Sequence, residues 1–119
     1  MTANDRITVY EKPTCTTCRK LAKLLREAGV EYEAVNYIVN PIPREELVRL
    51  IRMMGISARE LLRTREPAYR ELDLGRADLT EDELLDAMAE HPELIQRPIV
   101  VRGNRAVLAR PPERVKEIL

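Results

Sequence analysis

The pattern along the chain begins with Ile7-Thr8-Val9-Tyr10, a short run of strand-forming residues that predicts a β-strand. After a loop holding Pro13 and Cys15 the pattern changes: Leu21, Leu24, Leu25 and Ala28 recur at helical spacing, and Gly29 marks the stop. Tyr32 to Tyr37 is short and rich in strand formers, so a second strand is expected there. Strand, helix and strand in this order make a βαβ unit, whose strands run parallel with a right-handed crossover.

The middle of the chain is helical by the same criterion. Leu47, Leu50, Ile51 and Met54 form one apolar stripe behind Pro41 and Pro43, closed by Gly55. Ser57 with Glu60, and Thr80 with Glu83, have the spacing of capping boxes and open two further helices. The second of these runs through Leu84, Leu85 and Met88 to His91-Pro92. Thr64 to Asp78 reads as an irregular loop. Strands return at Pro98-Ile99-Val100-Val101 and Ala106-Val107-Leu108, joined by a hairpin turn at Gly103-Asn104. Pro111-Pro112 then introduces a last helix through Val115, Ile118 and Leu119. The fold class is α/β, with a mixed four-stranded sheet built from the βαβ unit and a terminal ββα.

Composition sharpens the outline. Of 119 residues 45% are hydrophobic, yet there is no Trp, no Phe and only four Tyr, so the core must be aliphatic. Twenty basic residues balance 20 acidic ones, which argues against a general nucleic-acid footprint. No apolar run is long enough for a membrane span. Met1 to Arg6 is polar and charged, unlike a secretory signal. Two cysteines without an export signal point to the reducing cytoplasm, where a close pair is more often catalytic or metal-binding than structural. A monomer is expected, because no long apolar surface stripe is left over.

Cys15-Thr16-Thr17-Cys18 lies between the first strand and the first helix. The first turn of a helix presents unpaired N–H groups and a partial positive charge, both of which favour a thiolate. Cys15, at the exposed edge, is the expected nucleophile, and Cys18, one turn inside, the candidate resolving thiol. Lys12 and Arg19 are nearby cations. A closed zinc site needs four ligands, and only Cys15, Cys18 and His91 are soft candidates, so no metal is expected. His91 precedes Pro92 at a helix end and is given no role.

Four segments carry a resemblance to the arsenate reductase family, the glutaredoxin-linked ArsC family that also contains the Spx regulators. They are Lys12-Pro13-Thr14-Cys15-Thr16-Thr17-Cys18-Arg19-Lys20, Met54-Gly55-Ile56-Ser57 leading to Leu61-Leu62-Arg63, Leu94-Ile95-Gln96-Arg97-Pro98-Ile99-Val100-Val101, and Ala109-Arg110-Pro111-Pro112-Glu113. The resemblance implies one thioredoxin-like domain over residues 1–119, with an inserted helical subdomain at 41–95. It implies a Cys15 thiolate that attacks arsenate, an oxyanion held by Arg63, Arg97 and Arg110, and a structural cis-proline at Pro98. Guanidinium forks and helix-start N–H groups suit a tetrahedral oxyanion. Glutathione with glutaredoxin, or thioredoxin, is the implied electron donor, with no tightly bound cofactor.

Two positions depart from the reductase pattern. Cys18 stands where single-cysteine reductases usually carry serine, and Glu11 where they carry histidine. Cys18 is similar to the Spx branch, where the cysteine pair is a redox switch and the partner is RNA polymerase. Three functions therefore stay open: an arsenate reductase, an Spx-like regulator, and a glutathione-dependent thiol reductase without arsenate activity.

Overall fold

A computed structural model describes residues 6–119; the polar stretch Met1 to Asp5 lies outside them. The chain divides into two units, one made of the sequence up to Asn40 with Arg97–Leu119, the other of Pro41–Gln96.

In the first unit, β1 (Ile7–Glu11), β2 (Glu33–Asn36), β3 (Ile99–Arg102) and β4 (Arg105–Leu108) form one sheet in the order β2-β1-β3-β4. β1 pairs parallel with β2, Val9 opposite Ala34, and antiparallel with β3, Val9 opposite Val100. Burial alternates along β1: Ile7 and Val9 are buried, while Thr8 and Tyr10 are partly exposed. β3 instead buries three successive residues, Ile99, Val100 and Val101, as a central strand covered on both faces does. β3 and β4 are joined by the two-residue turn Gly103-Asn104, with positive φ at Gly103, which suits the right-handed twist of a hairpin.

Helix α1 (Thr16–Glu27) crosses between β1 and β2 and buries Cys18, Leu21 and Leu25. Leu21 and Leu25 join Ile7, Val9, Val100, Val107, Val115 and Ile118 in one aliphatic cluster. Gly29 follows the helix at φ 70°, a conformation that costs other residues about 1 kcal/mol and glycine almost nothing. The last helix expected by sequence is a 3-10 helix, Pro112–Glu117. Arg102 and Arg105 donate to the carbonyls of Ile118 and Glu117, satisfying acceptors that the tight turn leaves open.

The second unit is helical: α2 (Arg44–Met54), α3 (Ala58–Leu61), α4 (Pro67–Glu71) and α5 (Glu81–Glu90), then a 3-10 turn at Pro92–Leu94. Ser57 accepts the Glu60 N–H at 3.2 Å and so opens α3. Thr80 and Glu83 close a full capping box on α5. One expectation is corrected here: Thr64–Asp78 is not wholly irregular, because α4 forms within it with Pro67 at its start. Its five residues are too few to show a hydrophobic period.

Candidate active site

Cys15 is the N-cap residue of α1, with extended backbone angles (φ −76°, ψ 126°). Its N–H donates to the Lys12 carbonyl at 2.9 Å and its own carbonyl accepts from Arg19 at 3.0 Å, so the tight turn from β1 fixes the residue on both sides. Cys15 makes no short side-chain cap bond. Its sulfur draws instead on the N–H groups of Cys18 and Thr17, the Cys18 thiol and the Arg97 guanidinium. Burial pushes the Cys15 thiol up, but these four donors outweigh it and hold the pKa below its ordinary value.

Cys18 behaves in the opposite way. It is 2% exposed, and burial, helped by the adjacent Cys15, pushes its thiol up to about 12 despite a backbone bond involving Lys12. Both cysteines are free thiols. One sulfur is thus activated and partly open, and its neighbour is protonated and covered. Glu11 is partly buried, which raises its carboxyl pKa, and its charge bears on Cys18.

Arg97 is the buried charged residue of the described chain, at 4% exposure. Its Nη1 donates to the Tyr37 hydroxyl at 3.3 Å, and its guanidinium also reaches Cys15. Burial works against its charge, but the bonds to Tyr37 and Cys15 more than offset this and leave its pKa above the ordinary arginine value. The Arg97–Pro98 bond is cis, as is Arg110–Pro111; the second is not foreseen in the sequence reading. Arg110 is exposed, and its Nη1 donates to the Arg97 carbonyl at 2.9 Å.

The structure therefore brings Cys15, Cys18 and Arg97 into direct contact, and joins Arg110 to the backbone of Arg97. Arg63 belongs to the other unit, where its Nε pairs with Glu66 at 3.2 Å and its N–H donates to Leu94 at 2.7 Å. Tyr37 is the residue that sequence reasoning missed. The available signal was weak: one of four tyrosines, just past a strand end, in a chain without Phe or Trp. Among the described residues no three His, Cys, Asp or Glu side chains gather as metal ligands would. Among the same described residues no helix is long and apolar enough to cross a membrane.

The profile of the ArsC family matches residues 10–118. The chain belongs to the ArsC family. An arsenate reductase of Escherichia coli K12 is 46% identical over 115 residues, covering 97% of this chain and 82% of that protein. The uncharacterized protein YfgD of the same strain is 42% identical over 115 residues, covering 96% and 97%. Among solved structures, an arsenate reductase from Vibrio cholerae superimposes with a TM-score of 0.92 at 41% identity, covering 96% of this chain and 98% of that one. The mixed four-stranded sheet with α1 packed on it is the thioredoxin-like fold of this ArsC family.

Proposed function

We propose that the chain is a thiol-dependent arsenate reductase in which Cys15 is the nucleophile. One observation carries this reading: the Cys15 sulfur lies at the start of α1 against the buried Arg97 guanidinium, and its pKa is lowered there. The relatives named arsenate reductase supply the substrate class.

The chemistry proceeds in two steps. The Cys15 thiolate attacks arsenic; an S–As bond forms, one As–O bond breaks, and the oxygen leaves as water after taking up protons. A second thiol then attacks the Cys15 sulfur. The S–S bond forms as the S–As bond breaks, its electron pair stays on arsenic, and arsenic falls from +5 to +3 and departs as arsenite. The net reaction consumes two thiols and yields one disulfide and one water. Arg97, with Arg63 and Arg110, is proposed to hold the oxyanion.

The second thiol is Cys18 or glutathione. Burial and a pKa pushed up to about 12 keep Cys18 protonated, which supports glutathione as the attacking thiol, with glutaredoxin or thioredoxin reducing the mixed disulfide. Action in the cytoplasm as a monomer belongs to the same proposal.

The test incubates pure protein with arsenate, glutathione and glutaredoxin and follows arsenite. Turnover lost in Cys15→Ser but kept in Cys18→Ser is the expected result. No arsenite above the Cys15→Ser control overturns the reading. The Cys15–Cys18 contact also favours a second reading, an Spx-like switch in which a bridge between the two sulfurs governs docking on RNA polymerase. A pull-down with polymerase under oxidising and reducing conditions tests it; recovery that ignores redox state overturns it.

A further inference from the structure

Tyr37 is 0% exposed, although it carries a hydroxyl. Its backbone N–H donates to the Glu11 carbonyl at 3.3 Å, which fixes it beside the end of β1, just ahead of the loop that carries Cys15. From there its hydroxyl accepts Arg97 Nη1 at 3.3 Å, and the same guanidinium bonds to the Cys15 sulfur. An arginine side chain turns about several bonds and loses much rotamer freedom when it is held in one orientation. The main chain of Arg97 is held by Arg110 Nη1 on its carbonyl. That contact says nothing about where the guanidinium points. A hydroxyl on a ring locked in the core can set that direction.

We propose that Tyr37 is a positioning residue: its hydroxyl holds the Arg97 guanidinium in the orientation that meets the Cys15 sulfur, and so keeps the nucleophile ionised. The inference rests on the reading of Cys15 as nucleophile. Arg97 and the Cys18 thiol are the side chains that bear on the Cys15 sulfur, and Glu11 bears on Cys18; Tyr37 acts through Arg97.

Tyr37→Phe removes the hydroxyl and keeps the ring. Alkylation of Cys15 by iodoacetamide, located by mass spectrometry, is followed from mildly acid to alkaline pH in the native chain, Tyr37→Phe, Arg97→Met and the double variant. The midpoint is expected to move up in Tyr37→Phe, slowing alkylation near neutral pH about threefold. Arg97→Met moves it further, and the double variant moves it no further than Arg97→Met alone. Loss of packing without loss of positioning would lower the melting temperature and leave the profile in place. An unmoved profile in Tyr37→Phe, with Arg97→Met shifted, overturns the role of Tyr37 and leaves the reading of Cys15 standing. Unmoved profiles in all three variants overturn both. Should the Phe variant fail to fold, 3-fluorotyrosine at position 37 keeps ring and hydroxyl but, while that hydroxyl stays protonated, weakens the oxygen as an acceptor, so alkylation is compared from mildly acid to neutral pH. A smaller shift in the same direction supports the proposal, and no shift overturns it.

Discussion

At the start of α5, Thr80 accepts the Glu83 N–H at 3.1 Å, Glu83 accepts the Thr80 N–H at 3.0 Å, and the first turn carries Glu81, Asp82 and Glu83. At the start of α1 stands Cys15, with no short cap bond and no acid in the first turn, followed by the exposed cations Arg19 and Lys20. Both helices offer the same unpaired N–H groups and the same positive dipole end. α5 fills that end with its own carboxylates, and α2 likewise places Glu45 and Glu46 in its first turn. α1 leaves its end to a sulfur and adds positive charge where the dipole rule disfavours it. The difference separates a helix start closed by its own carboxylates from one that leaves its N–H groups to the Cys15 sulfur.

The sharpest way to break this comparison is to give α1 an ordinary cap. In Cys15→Asp, arsenite formation should fall by roughly a thousandfold or more, while urea denaturation shows a gain of about 0.5–1 kcal/mol. A loss of stability would mean that the α1 start is not under-capped. Next in size, Arg97→Met should lower kcat/KM for arsenate by roughly 10- to 100-fold and remove the protection that arsenate gives Cys15 against alkylation. The mirror experiment is Thr80→Ala, which should cost about 1 kcal/mol in urea denaturation and leave Cys15 alkylation unchanged.

A smaller effect lies in the pH dependence of stability. Because the folded pKa of Cys15 is depressed, the unfolded chain binds more protons between that pKa and the ordinary thiol value. Stability therefore rises with pH across this window and is lost as pH falls through the depressed value. Cys18 acts in reverse: it ionises in the unfolded chain near 9 but in the folded one only at about 12, so stability falls as pH rises above 9. Urea midpoints against pH should lose the first slope in Cys15→Ser and the second in Cys18→Ser. Smallest is Lys20→Glu, which should stabilise the chain by about 0.3–0.5 kcal/mol through the dipole, read as melting temperature, while slowing Cys15 alkylation slightly.

Much of this was legible in the sequence, for local reasons. The β-forming run of Ile7 to Tyr10, the stripe through Leu21 and Leu25, the Thr80–Glu83 pair and Gly103-Asn104 each depend on neighbours within a few positions. α4 was not legible, because five residues carry no period. Pro111 and Pro112 point to a helix, and one forms there, but its tighter 3-10 winding is not written in the local pattern. The lowered thiol of Cys15 could be anticipated from its place before a helix. Its side-chain partner in the structure, Arg97, lies 82 positions along the chain and could be named only through the family resemblance. Tyr37 was invisible as a site residue, since a tyrosine at a strand end reads first as a strand former, and only the fold sets its hydroxyl on Arg97.

The burial of Cys18 also bears on survival under oxidative stress. A peroxide in solution meets the outer sulfur first, because the inner one is 2% exposed. The covered thiol behind it, with its pKa pushed up to about 12, stays protonated and is a slow nucleophile toward a sulfenic acid at Cys15. Rescue of the oxidised site then falls to a small thiol that reaches the open sulfur from solution before sulfinic acid forms.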